Sequence, residues 1–153
     1  MTGQSVSGIK TPVVAVDGVV LCRNAADPGR SHWKVLLVRR ANPPFQGDWA
    51  FPGGFVDIGE GLAAAVGREV EEETGLRNLP FSQFRSYGSP RRDPRGHTVS
   101  VVHVAELSGC PPDVRAGDDA AEARWFELDG LPDLAFDHHD ILDEIMIYRR
   151  ETL

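Results

Sequence analysis

The chain has 153 residues, 41% of them hydrophobic and 25% charged, enough for one domain with its own core and no need of a disulfide or structural metal. A net charge of −7 disfavours nucleic acid and anionic membrane surfaces, which select basic proteins, so the expected partner is a small molecule. Cys22 and Cys110 match no metal-ligand spacing and read as reduced thiols; with no apolar targeting core near the N-terminus and no run approaching the roughly 20 apolar residues of a membrane span, the expectation is a cytoplasmic protein.

Residues 1–10 are small and polar and are expected to form a flexible N-terminus, with a single domain over 11–153. Segments 12–22 (PVVAVDGVVLC) and 33–39 (WKVLLVR) are rich in β-branched and aliphatic residues, and the Gly-, Asp- and Pro-bearing stretch between them makes two strands joined by a loop. After the turn-rich residues 42–48, the run Trp49-Ala50-Phe51-Pro52-Gly53-Gly54 reads as a short strand entering a tight loop, because Pro52 cannot donate to a ladder and the glycines permit unusual backbone angles. Residues 62–74 have helical periodicity, and Gly75 stands where a left-handed residue would close the helix. Segments 81–89 and 97–107 read as strands flanking the loop 90–96, residues 123–128 as a further strand, and residues 141–149 as a C-terminal helix. Mixed strands with two helices predict an α/β fold in which helices cover a sheet.

On a helical wheel of about 100° per residue, Glu69, Glu72 and Glu73 share one face and Glu71 points elsewhere. Ala63, Val66, Gly67, Val70 and Thr74 form a separate apolar stripe, expected to pack on the sheet. Three carboxylates within one turn repel, and at least one is driven toward protonation unless a cation joins them. Oxygen donors with no convergent His or Cys favour magnesium, with manganese possible, over zinc, and magnesium binds substrate phosphates as well as carboxylates. An acidic run by itself is usually a solvated helix face, but this one sits inside a longer pattern.

The segment Gly53-Gly54-Phe55-Val56-Asp57-Ile58-Gly59-Glu60, continued by Arg68-Glu69-Val70-Glu71-Glu72-Glu73-Thr74-Gly75-Leu76, resembles the Nudix box at every fixed position. The resemblance implies an α/β/α sandwich with a central mixed β-sheet and hydrolysis of the pyrophosphate bond in a nucleoside diphosphate derivative. It further implies that Glu69, Glu72, Glu73 and the backbone carbonyl of Gly53 hold divalent ions, while Glu60 and Arg68 form a salt bridge that orients the loop against the helix. Glu69, Glu72, Arg68 and Glu60 are thus the catalytic set, with Glu69 the candidate base. One departure lies at the helix entry, where many members have Ser or Thr and then an acid three places on. Here Gly61 and Ala64 stand there, so the capping box is absent, at a cost of about a few tenths of a kcal/mol.

Related enzymes often supply a further acid from the segment before the last strand, and Asp118, Asp119 and Glu122 qualify. Arg39 and Arg40 at a strand end, with Arg91, Arg92 and Arg95 in a loop, form a basic cluster suited to phosphate oxygens, although exposed arginines often serve only as solvated surface. Residues 87–96, 117–120 and 135–138 resemble segments of the ADP-ribose pyrophosphatase branch, which implies ADP-ribose as substrate, with AMP and ribose 5-phosphate as products, ahead of other nucleotide sugars, dinucleotides or nucleoside triphosphates, and a homodimer. Of His138 and His139, one reads as a cap or packing residue, and Phe45, Trp49, Phe51 and Trp125 read as core aromatics sooner than as an adenine platform. Outside the enzyme class, a related domain also serves as an ADP-ribose sensor in transcription regulators, but 153 residues leave no room for a winged helix, and no basic recognition helix is seen.

Overall fold

The computed structural model describes residues 5–6, 9–24, 32–117 and 119–152. In chain order the elements are β1 (Ser5–Val6), β2 (Ile9–Lys10), β3 (Val13–Arg23), β4 (Trp33–Arg40), β5 (Trp49–Ala50), β6 (Gly53–Phe55), α1 (Leu62–Thr74), β7 (Ser82–Tyr87), β8 (Thr98–Ser108), β9 (Ala120–Glu127) and α2 (His138–Thr152). Within the segment expected to be a flexible terminus, β1 and β2 pair with each other; residues 1–4 and 7–8 lie outside the described residues. The expected strand over 49–54 is two strands, parted at Phe51 and Pro52, and the C-terminal helix begins at His138, ahead of the expected start.

β3 organises the sheet. It runs parallel to β8 over its whole length, from Val13 opposite Thr98 to Arg23 opposite Ser108. Its other pairings are antiparallel and divide one edge: residues 15–17 pair with β6 and residues 21–23 with β4. β4 carries β9 and β5, and β7 pairs with β8, so the described residues give a mixed 7-stranded sheet beside the small β1–β2 pair.

Because side chains alternate along a strand, β3 feeds two cores. Val19 and Leu21 join Val35, Leu37, Phe51 and Val102 beneath Ile141, Leu142 and Ile145 of α2. Val16 and Val20 join Leu36 and Val101 beneath Ala65, Val66 and Val70 of α1. A helix covers each face, which is the α/β/α sandwich. Gly18 lies where α1 presses on β3: a Cβ there would stand 2.7 Å from Val70 Cγ2. Cys22 and Cys110 are both free, the first buried and the second exposed.

α1 spans the predicted residues, but its buried face differs from the predicted stripe. Ala65, Val66, Val70 and Thr74 are buried, whereas Ala63 is exposed and Gly67 only partly covered. The helix has rolled so that Glu69 and Glu73, beside the apolar stripe on the wheel, also turn inward. Gly61 supplies no side-chain cap, and Gly75, at φ 81°, closes the helix by donating its N–H to the Glu71 carbonyl. Thr74, in the last turn, returns its hydroxyl to the Val70 carbonyl at 2.6 Å.

Candidate functional site

Where β6 and β4 part along β3, a cleft of about 340 Å³ opens, within the size range of small-molecule sites. Glu69, Glu72 and Glu73 of α1 form one wall with Gly53 and Gly54 of β6; Arg39 and Arg40 of β4, Arg92, Asp93 and Arg95 of the β7–β8 loop, Phe136 and His138 face them.

The acidic wall depends on missing side chains. A Cβ on Gly54 would come within 2.5 Å of the Glu69 carboxyl, so only glycine lets that carboxylate lie against the strand. The Gly53 N–H donates to Glu73 Oε1 at 2.8 Å. Gly117 meets the carbonyl of Glu72, where a Cβ would stand at 2.3 Å, and donates its N–H to the Glu73 carbonyl. The loop before β9 is therefore docked on the end of α1 and brings Asp119 into the cleft.

Arg68 is the counter-charge built into this wall. It grips Glu60 with both ends of its fork, Nε to Oε2 at 2.7 Å and Nη2 to Oε1 at 2.9 Å, and also donates to the Phe55 carbonyl. Its Nη1 reaches Glu69 at 2.9 Å and Glu72 at 3.3 Å. The Arg68 hydrogen bonds, then the Asp57 N–H, hold the Glu60 carboxyl down at about 2. The expected salt bridge between loop and helix is present, and it extends to two of the three clustered acids.

Glu73 has no ion pair among the described residues. Burial, only partly opposed by the Gly53 N–H, pushes its carboxyl up to about 8, and the charges of Glu69, Asp17 and Asp119 add to the rise. Burial also raises Glu69, more than Arg68 lowers it. Hard oxygens that an arginine neutralises only in part suit a small divalent cation, and Glu69, Glu72, Glu73 and the Gly53 carbonyl could hold one; the three carboxylates are not drawn to one point, since Arg68 takes Glu69 and Glu72 and the Gly53 N–H takes Glu73.

The five arginines separate. Arg40 lines the cleft, donates from Nε to the Pro44 carbonyl at 2.7 Å and has no ion pair among the described residues. Arg95 also lines it, forked onto the buried Asp93. Arg39 sits at the rim, half exposed, and meets Glu122 at 3.5 Å. Arg92 borders the cleft, but its side chain is 6% exposed and both ends of its fork are taken by Asp137, at 2.9 and 2.6 Å, which makes it a brace between the β7–β8 loop and the start of α2. Arg91 is exposed and lines no part of the cleft. Among the acids named for the loop, Asp119 lines the cleft, Glu122 is outside it, and Asp118 lies outside the described residues.

Sequence reasoning missed Asp17. It sits in mid-strand on β3, lines the cleft, and accepts the Ser100 hydroxyl, with His138 Nε2 at 3.7 Å. Burial alone would raise its carboxyl, but His138, Ser100 and Arg92 outweigh it and hold the group below its usual range. His138 is the packing residue of the His pair: buried, stacked on Phe51 at 4.5 Å, and accepting the Phe51 N–H at Nδ1. His139 is exposed beside Asp143. Trp49 and Phe51 are core, and Trp125 packs against the α1 side, whereas Phe45 is 39% exposed and rests on Phe136. The available signal for Asp17 was a lone acid inside an otherwise apolar strand.

A sandwich that lines one cleft with a helix-borne acid cluster and with arginines has the groups to meet a cation and an anion side by side. Residues 12–146 match the NUDIX domain model, and the chain belongs to the Nudix hydrolase family, whose pyrophosphohydrolases work with divalent metal ions. It is 46% identical over 138 residues to the ADP-ribose pyrophosphatase of Methanocaldococcus jannaschii, covering 90% of this chain and 75% of that protein. It is 34% identical to the ADPR responsive transcriptional repressor NtrR of Acinetobacter baylyi, covering 90% of this chain but only 54% of the repressor. Among solved structures, the NUDIX domain of Shewanella oneidensis NrtR complexed with ADP ribose superimposes with a TM-score of 0.80 at 29% identity, covering 95% and 93% of the two chains. A MutT/nudix family protein from Enterococcus faecalis gives a TM-score of 0.79 at 34% identity, covering 91% of this chain and 62% of that one, so this chain spans under two thirds of its length.

Proposed function

We propose that this protein hydrolyses the pyrophosphate bond of ADP-ribose, giving AMP and ribose 5-phosphate, with magnesium as the working ion and manganese as a substitute. The observation that carries this reading is the complete acid cluster of Glu69, Glu72 and Glu73 facing Arg40 and Arg95 across one cleft. The choice of ADP-ribose is supported by the identity to the M. jannaschii pyrophosphatase and by the likeness to a domain described in complex with ADP ribose.

Glu69, Glu72, Glu73 and the Gly53 carbonyl would hold the ion. When bound, a divalent ion lowers the pKa of a coordinated water and takes up charge on phosphate oxygens. The water oxygen forms a bond to one phosphorus, the bridging P–O bond breaks toward the other phosphate, and Glu69 is the proposed acceptor of the water proton. Arg68, fixed by Glu60, is a positioning residue that sets the direction of Glu69 and Glu72. Arg40 and Arg95 meet the phosphate oxygens, Arg39 serves the rim, and Asp119 is the accessory acid best placed to assist. Arg91 and Arg92 have no part in this reading: one stands away from the cleft and the other is committed to Asp137.

A second reading, binding of ADP-ribose without turnover, is favoured by the likeness to the repressors. The intact acid cluster favours catalysis. The ADP-ribose branch resemblance also supports a homodimer, and light scattering that gave only the monomer mass of 16.7 kDa would remove it. No described helix is long and apolar enough to cross a membrane.

The deciding experiment is product analysis with magnesium and a panel of ADP-ribose, nucleoside triphosphates, other nucleotide sugars and dinucleotides, run on the native chain and on Glu69→Gln and Glu73→Gln. AMP from ADP-ribose, lost in both variants, supports the reading. Preferred turnover of another substrate overturns the choice of ADP-ribose, and tight binding with no turnover moves the assignment to the sensor.

A further inference from the structure

Two guanidinium groups of like charge stand over one aromatic ring. Arg40 and Arg95 lie 5.0 and 5.6 Å from the centroid of Phe136. Burial, and then the charge of Arg95, holds the Arg40 guanidinium below its usual range. Beyond the Phe136 ring, Arg40 holds the Pro44 carbonyl, while Arg95 holds the Asp93 carboxylate and also lies over the ring of Phe55, 5.1 Å from its centroid. Those holds leave the outer nitrogens of Arg40 without a carboxylate among the described residues.

Phe136 has an unusual backbone. Its φ of 52° lies in the left-handed region, which a bulky L side chain adopts only under constraint, and which often marks a functional position. The constraint comes from its neighbours: Ala135 donates its N–H to the Trp49 carbonyl at 2.7 Å, and His138 donates to the Ala135 carbonyl at 3.2 Å. Phe45 at 4.9 Å and His138 at 5.4 Å pack around the same ring. With four groups about it, the ring acts as a support and is not an open stacking surface for a nucleobase.

We propose that Phe136 is a positioning residue for the diphosphate: its ring holds the guanidinium groups of Arg40 and Arg95 side by side, facing the cleft opposite Glu69, Glu72 and Glu73. Two adjacent phosphates then meet two cations already in place. The proposal deepens the pyrophosphatase reading and rests on it for the substrate. An aromatic face attracts a planar guanidinium electrostatically, whereas an aliphatic side chain of similar bulk fills the space without that attraction. With leucine there, Arg40 loses its aromatic support and drifts from Arg95, which Asp93 and Phe55 still hold, so the two must be brought together as the anion binds. The loss falls on binding, with KM rising by about fivefold or more and kcat changing less than KM does.

The test compares the full chain with Phe136→Leu and Phe136→Tyr. One arm measures steady-state hydrolysis of ADP-ribose in magnesium; the other measures calorimetric binding of methylenediphosphonate, whose P–C–P bridge cannot be hydrolysed. Phe136→Leu should weaken probe binding and raise KM, and Phe136→Tyr should restore both. Undiminished probe affinity in the leucine variant overturns the proposal, as does a tyrosine variant no better than leucine, or a native chain that does not bind the probe. Should Phe136→Leu not fold, Arg40→Lys carries the test, since it keeps the charge and loses the planar contact; unchanged probe affinity there also overturns the proposal. Probe binding that still depends on Phe136, in a protein that leaves ADP-ribose intact, supports the positioning role and removes only the substrate reading.

Discussion

Binding of a divalent ion should expel a proton from Glu73, and the amount can be worked from its surroundings. With its carboxyl raised from 4.5 to about 8, mainly by burial, roughly nine in ten molecules carry that proton at pH 7. The shift corresponds to about 3 to 5 kcal/mol of preference for the neutral form. A carboxylate must be deprotonated to bind a metal, so loading at pH 7 releases close to one proton per chain, and apparent affinity rises about tenfold per pH unit until pH about 8. Calorimetric titration with magnesium or manganese at pH 7, in two buffers with different ionisation enthalpies, reads the released proton as a difference in heat. Equal heats would refute the reasoning, and Glu73→Gln should abolish most of the difference. The same group sets how stability varies in chelator: folded Glu73 holds its proton more tightly than unfolded Glu73, so the stabilisation is full below pH about 4.5 and is lost as pH rises through about 8.

Other perturbations separate the parts of the site. Glu73→Gln keeps an acceptor for the Gly53 N–H and should cut kcat by about a hundredfold or more, while the metal-free variant melts at or above the native temperature at pH 9. Gly54→Ala places a methyl carbon 2.5 Å from the Glu69 carboxyl, so activity should fall steeply with circular dichroism unchanged. Arg92→Leu strands Asp137 and should cost about 2 to 3 kcal/mol, roughly 5 to 10 °C in Tm, with Asp137→Asn restoring part of it; a change in KM alone, with no loss of stability, would make Arg92 a substrate residue after all.

The acidic half of the site was legible because its information is local. A 13-residue helix with a left-handed glycine after it, and fixed spacing back to Gly53 and Gly54, puts the acids and their arginine on one piece of chain. The rest depends on partners far away in sequence. Whether Arg92 is free or spent is decided by Asp137, 45 residues on, and Asp17 is tied to Ser100, 83 residues on. The apolar stripe of α1 was misjudged at Ala63 and Gly67 because a wheel has no knowledge of how a helix rolls. The glycines of β6 and Gly117 let the helix approach closely enough to carry Glu69 and Glu73 inward.

The divided edge of β3 has a consequence for how such a molecule can change. Everything on the β6 side of the division, from Gly53 to Glu73, is one uninterrupted stretch of chain. On the other side Arg40, Arg95 and Phe136 arrive from three separate segments that meet only in the folded state. The acid-bearing stretch is inherited as a unit, while the opposite side is joined only by contacts between its segments, Phe136 with Arg40 and with Arg95. A lineage built on this plan can therefore keep the acidic wall whole and alter the ligand-facing wall through changes that suit one another.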